Sequence, residues 1–265
     1  MEEMNNPTLY IGECSQVMRE RIPDASIDLT VTSPPYDNLR KYNGYVFDFE
    51  AIAQELWRVT KPGGVVVWVV GDATINGSET GTSFRLPLRF MEIGFNLHDT
   101  MIYDKNGLRY PFPNRYHQVF EYMFILSKGS PATFNPIEDR VAIWSDNHIG
   151  GHRKREADGS FTLRKGRTAE AGRLTKRYNI WRYSGSLAQS EDNTAAHPAV
   201  FPEALARDHI LSWSNPGDTV LDPMMGSGTT GKMAMLHQRK FIGIEISAEY
   251  YKIAKKRMSQ MVFPL

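Results

Sequence analysis

Residues 32–36 read Thr-Ser-Pro-Pro-Tyr and directly follow Ser26–Thr32, where Ile27, Leu29 and Val31 alternate with polar residues. Such alternation marks a strand, and the two prolines stop it, so a stiff loop leaves the strand's end. An amino group on an aromatic ring is a poor nucleophile because its lone pair is delocalised into the ring. A loop that accepts hydrogen bonds from both of its N–H bonds localises that pair. Pro34 has no N–H, so the loop offers carbonyl acceptors without a competing donor there, and the Ser33 hydroxyl supplies a second acceptor. Pro35 adds stiffness, which suits the positioning of a transition state. Tyr36 offers a flat face on which an extruded base can stack. By itself the segment reads better as a plain proline stop, so the other reactant must be sought elsewhere.

That second half lies far along the chain. Val220–Thr230 reads VLDPMMGSGTT, a strand ending at Asp222, then a Gly-rich turn and a helix start. Such a turn brings main-chain N–H groups close to a nucleotide-like ligand. Glu245 ends the next apolar strand, about 20 residues on, where an acid can accept hydrogen bonds from ribose hydroxyls. Gly226–Lys232 also matches the phosphate-loop spacing G-x-x-x-x-G-K, but Met233 stands where that loop needs Ser or Thr to hold magnesium. No second strand ends in a magnesium-binding Asp, so a nucleoside triphosphatase is set aside. Methylation at carbon would need a cysteine nucleophile. The one cysteine, Cys14, sits in Gly-Glu-Cys beside what reads as a strand end and is taken as a small buried residue.

The elements between these segments must hold them together. Phe49–Val59 has helical apolar spacing and ends at Lys61-Pro62-Gly63-Gly64; Gly64–Val70 is apolar and β-branched, as in a strand covered on both faces. A helix is predicted over Phe84–Ile93, strands over Thr100–Tyr103, Glu121–Leu126, Thr219–Leu221 and Phe241–Ile246, and helices over Gly228–Leu236 and Ala248–Met258. This alternation predicts an α/β, doubly wound sheet.

The stretch Arg140–Asn193 breaks the rhythm. From Gly150 to Tyr183 ten basic residues face three acidic ones, a local charge of +7 in a chain of 265 residues whose total is +1. Local basic density is what phosphate contact requires. The candidate contacts are Arg153, Lys154, Arg155, Arg164, Lys165, Arg167, Lys176 and Arg177, with Asp158-Gly159 as a hairpin turn. Tyr178, Trp181 and Tyr183 are interleaved. Hydrophobic residues at 41% and charged residues at 23% are ordinary for a globular protein. No run approaches a membrane span, the opening MEEMNNPTLY lacks a signal-type apolar core, and no metal-site spacing is present. A cytoplasmic location is the expectation.

With these segments in order, the sequence resembles the β-class of DNA amino-methyltransferases, in which the TSPPY-type motif comes first, a target-recognition region second and the S-adenosylmethionine loop last. The resemblance spans nearly the whole chain and implies a Rossmann-like sheet with circularly permuted motif order. Residues 1–139 would hold the catalytic part, 140–195 an inserted basic recognition region, and 196–265 the cofactor part of the same domain. It assigns Ser33, Pro34, Pro35 and Tyr36 to catalysis. Glu13, Thr32, Asp222, Pro223, Met224, Gly226, Ser227, Gly228, Thr229 and Glu245 fall to the cofactor. Met224 stands where the family usually has Phe, and Glu13 where it usually has Asp. His197–Glu203 looks like a further cofactor-binding segment. The implied partner is double-stranded DNA, with a homodimer and a cognate restriction endonuclease as further candidates. The Ser-Pro-Pro-Tyr form is typical of members acting on cytosine N4; adenine N6 is the alternative. RNA or protein amides as substrate, and an inactive DNA-binding module, are less favoured by the intact loop and the basic insertion.

Overall fold

Gly64–Val70 becomes the middle of a sheet because its valines and Trp68 are apolar on both faces and need cover on both. A computed structural model describes residues 6–35, 47–105, 114–142, 152–164, 172–183 and 202–260. In chain order they form β1 (Thr8–Ile11), α1 (Cys14–Arg21), β2 (Ile27–Thr32), α2 (Phe49–Val59), β3 (Thr60–Val70), β4 (Thr74–Ile75), β5 (Ser78–Glu79), α3 (Thr82–Ile93), β6 (Asn96–Asp104) and β7 (Phe120–Ser127). Then follow β8 (Glu138–Val141), β9 (His152–Arg155), β10 (Phe161–Arg164), β11 (Leu174–Lys176), β12 (Ile180–Arg182), α4 (Glu203–Trp213), β13 (Thr219–Asp222), α5 (Thr229–Leu236), β14 (Lys240–Glu245) and α6 (Ala248–Ser259).

Among the described residues the main sheet has eight strands in the order β1-β14-β13-β2-β3-β7-β6-β12. Its β7 runs antiparallel to both neighbours and the remaining pairs are parallel. The chain leaves β13 towards β14 and leaves β2 in the opposite direction towards β3. The strand order therefore reverses between β13 and β2, and at such a point a crevice opens above the carboxyl ends of the strands.

Helix α2 shows how one face is sealed. Asp48 caps it by accepting from the Ala51 N–H at 3.1 Å. Ile52, Ala53, Leu56 and Val59 then fall on one side and are buried against Val66, Trp68 and Val70. Phe49, Phe90 and Trp68 meet edge-on with centroids 5.1–6.0 Å apart. Emptying this core by Leu56→Ala would cost about 2–5 kcal/mol. On the other face α4 rests on the sheet, its buried His209 lying 4.6 Å from the Trp181 ring and 3.2 Å from Met123 Sδ.

Some boundaries differ from the sequence reading. The Lys-Pro-Gly-Gly segment, read as a helix terminator, already belongs to β3, because the Gly63 N–H donates to the Lys128 carbonyl at 2.7 Å and extends the strand past the register shift. Cys14 opens helix α1 rather than ending a strand; it is buried, as expected. Ile180–Arg182, inside the stretch read as an insertion, pairs in parallel with β6 as the edge of the main sheet.

The chain divides into two compact units, Met1–Asn135 with Asn179–Leu265, and Pro136–Tyr178. The described residues of the smaller unit form two antiparallel ladders, β8–β11 and β9–β10. Between β9 and β10 the Asp158 carboxylate accepts from the Ser160 N–H at 2.9 Å, and Gly159 takes a φ of +85°, as the Asp-Gly turn predicts. No helix of the described residues is long and apolar enough to cross a membrane.

Candidate active site

The two chemical segments meet at the strand reversal. Strand β2 ends at Thr32 and β13 at Asp222, side by side and parallel. The Thr32 hydroxyl donates to Asp222 Oδ1 at 2.8 Å, both groups being buried. One hydrogen bond thus ties the proline loop to the Gly-rich turn. Ser33 and Pro35 are half-buried and Pro34 buried at the mouth of this crevice, while Tyr36 lies outside the described residues.

Two acids line the same end of the sheet. Asp222 is 2% exposed and also accepts from the Met224 N–H at 3.1 Å. Burial pushes its carboxyl up to about 6; hydrogen bonds from Thr32 and Thr230 pull the other way, and the neighbouring Glu245 charge pushes it further up. Glu245, at the end of β14 and 7% exposed, accepts from Gly226 N–H at 2.9 Å and Ser247 N–H at 2.8 Å. Burial raises it too, against those backbone hydrogen bonds. Neither acid has a basic partner among the described residues. Two buried carboxylates that repel one another fit a ligand carrying positive charge.

The turn between them is tightly specified. Gly226 and Gly228 have φ of +51° and +81°, and Gly228 caps α5 in a left-handed conformation. A Cβ on Gly231 would come within 2.5 Å of both Met258 Sδ and Phe241 Cε1, so this glycine serves close packing of α5. Met224 packs against the core. Lys232, the lysine of the apparent phosphate loop, is paired with Glu203 at 2.9 Å.

At this point the likenesses are decisive. A family model described as DNA methylase (N6/N4) matches residues 27–256. The chain belongs to the DNA methylase family. The orphan methyltransferase M.BamHII of Bacillus amyloliquefaciens is 57% identical over 249 residues, covering 92% of this chain and 93% of that protein. The structure of PvuII DNA methyltransferase (cytosine-N4-specific) superposes with a TM-score of 0.69 at 23% identity, covering 97% of this chain and 91% of the other. TTHA0409 of Thermus thermophilus, solved in complex with S-adenosyl-L-methionine, does so with 0.64 at 25% identity, covering 98% of each chain. The family is S-adenosylmethionine-dependent, its fold is Rossmann-like, and the doubly wound sheet expected from the sequence is the one this methylase has.

Sequence reasoning missed the group that fixes the turn from behind. Arg257 on α6, 6% exposed, donates from one terminal nitrogen to the Ser227 carbonyl at 2.9 Å and lies 3.2 and 3.4 Å from the Ser227 and Thr229 hydroxyls. Its other terminal nitrogen meets Glu203 at 2.8 Å, on the oxygen that also holds Lys232. The Ser227 and Thr229 side chains therefore lie against this guanidinium. The signal in the sequence is a basic residue in the last turn of α6, where favourable interaction with the helix dipole is reason enough for it. Glu13 caps α1 through the N–H groups of Ser15 and Gln16 at 2.9 and 2.8 Å. Of the basic candidates, Arg153 and Arg164 lie on β9 and β10, Arg155 is exposed, Lys154 pairs with Glu156 at 2.8 Å, and Arg177 bonds Asp139 through Nε at 2.8 Å. Lys176 ends β11, while Lys165, Arg167 and His197–Phe201 lie outside the described residues.

Proposed function

We propose that this DNA methylase transfers a methyl group from S-adenosylmethionine to N4 of a cytosine extruded from double-stranded DNA. The observation that carries the reading is the Thr32–Asp222 hydrogen bond, which joins the amine-gripping loop to a carboxylate suited to a cationic cofactor. Bound there, the cofactor supplies an electrophilic methyl on a sulfonium. Asp222 and Glu245 offer negative charge and acceptors for it, while the main chain of Pro223–Thr229 supplies close approach; Glu13 stands at the end of the next strand but one. The Ser33 hydroxyl and the carbonyls of the proline loop accept from the amine's two N–H bonds and localise its lone pair. Tyr36 stacks the base. Direct attack by nitrogen needs no cysteine intermediate, consistent with the buried Cys14, whose thiol proton is held by burial and by the neighbouring Glu13 charge. Residues 140–195, which include most of the compact unit Pro136–Tyr178, supply DNA contacts through their basic side chains. The Ser-Pro-Pro-Tyr form supports cytosine over adenine.

The test is mass spectrometry of nucleosides from DNA incubated with the protein and cofactor. N4-methylcytosine is expected. N6-methyladenine as the sole product overturns the base assignment, and an unmodified DNA overturns the reaction. Tyr36→Ala should abolish transfer while cofactor binding persists; full activity in that variant removes the stacking role.

A further inference from the structure

Among the described residues of the smaller unit, Arg140 is held against an aromatic ring. Arg140 lies on β8, its guanidinium carbon 4.3 Å above the Tyr178 ring, its Nε donating to the Lys176 carbonyl at 3.2 Å. The strand beneath is locked by the Thr175 hydroxyl on the Arg140 carbonyl at 2.8 Å and by the Arg177 N–H on the Ile137 carbonyl at 2.8 Å. Among the described residues the two terminal nitrogens of Arg140 have no partner, so a rigid planar fork is presented with its donors open. Arg177 on the same ladder is spent on Asp139, and Lys154 on Glu156.

The surroundings distinguish what such a fork can read. Phosphate contact wants dense positive charge. β8 instead carries Glu138 and Asp139 immediately before Arg140, and beside it stand the exposed apolar residues Val141, Leu174 and Tyr178. Glu138 repels a phosphate backbone, Asp139 being neutralised by Arg177, and apolar neighbours suit the edges and methyl groups of bases. Exposed Arg155 on the other ladder is the better phosphate contact. A two-stranded ribbon enters the major groove, where a planar two-donor fork matches O6 and N7 of guanine.

We infer that Arg140, braced by Tyr178, is a specificity-determining residue that reads a guanine of the target sequence from the β8–β11 ladder. The inference rests on the reading of this unit as DNA-contacting. Holding the guanidinium in place before binding lowers the entropy lost on contact.

The experiment maps methylated positions in DNA from a methylation-free source after treatment with the wild-type protein, Arg140→Ala, Arg140→Lys and Arg155→Ala, with binding measured at several salt concentrations. A fixed guanine is expected in the wild-type consensus. In Arg140→Ala the preference at that one position should fall about 10- to 100-fold, the other positions and the salt dependence staying as they were. Arg140→Lys, which keeps the charge without the fork, should relax the same position. Arg155→Ala should weaken binding to all sequences alike with a shallower salt slope. A consensus without a fixed guanine overturns the inference, as does equal loss on every sequence in Arg140→Ala, the mark of a phosphate contact. If Arg155→Ala weakens binding and the Arg140 variants keep full preference, the Arg140 inference alone fails. If neither residue affects DNA, the DNA-contacting role of the unit fails with it.

Discussion

Asp222 should make cofactor binding depend on pH and should hold the ligand-free fold below its attainable stability. Its carboxyl is pushed from the usual aspartate range up to about 6, chiefly by burial. A displacement of about two pH units corresponds to about 3 kcal/mol. The unfolded chain ionises this group from about pH 4, so between there and pH 6 the folded state binds the extra proton; stability falls as pH rises through that window, and the loss is complete above it. Asp222→Asn removes the charge and keeps groups able to pair with Thr32 and the Met224 N–H. At pH 8 the ligand-free variant should melt at most roughly 6–12 °C above wild type, taking about 2–4 °C per kcal/mol. Its affinity for the positively charged cofactor should fall. In the wild type the ligand prefers the ionised carboxylate, so affinity should drop about tenfold between pH 7 and pH 5. Glu245, also raised by burial, adds to the drop in the same direction. Calorimetry from pH 5 to 8 at constant ionic strength, with thermal melts of both proteins, reads each quantity. A flat wild-type affinity over this range, or a variant that melts below wild type at pH 8 yet binds equally well, would refute the reasoning.

Thr32→Val deletes the bond at 2.8 Å to Asp222. It should cost about 1–3 kcal/mol in denaturant melts and move the pH midpoint of cofactor binding upward, since one hydrogen bond to the ionised form is gone. Arg257→Met releases the Ser227 carbonyl while Lys232 still neutralises Glu203; steady-state kinetics should show a raised KM for cofactor with kcat at saturation nearly kept. Gly231→Ala places a methyl 2.5 Å from Met258 and Phe241 and should cost about 1–3 kcal/mol by overpacking, measured as a lowered unfolding midpoint.

The sequence made the placement of the candidate site legible because its parts are local. Thr32-Ser33-Pro34-Pro35 and Asp222–Thr230 each sit on one strand end, so spacing alone placed acids, prolines and glycines correctly on the fold. Helix α2 and strands β13 and β14 were readable because their burial is one-sided or complete and their caps are nearby residues. What escaped were contacts between distant segments. Arg257 holds the turn 30 residues before it, and nothing local marks a buried arginine as a clamp. The short strands β8, β11 and β12 carry charged and polar residues, and their pairing comes from partners far away in the chain. Glu13, read from resemblance as a ligand contact, also serves the start of α1, a use its position before Cys14-Ser15 could have suggested.

The Thr32–Asp222 bond spans 190 residues of chain, and the strands it joins lie at the middle of the sheet. During synthesis β2 and β3 can pair early, but the second edge of β2 stays open until Thr219–Asp222 has emerged. Until then an apolar strand offers an unpaired row of main-chain groups, which is where growing chains stick to one another. Folding should therefore be slow, limited by this long-range closure, and most prone to aggregation on the ribosome just before β13 arrives. The same delay leaves the proline loop without its bond to Asp222 until nearly the whole chain has been made, so the two halves of the candidate site come together only at the end of synthesis.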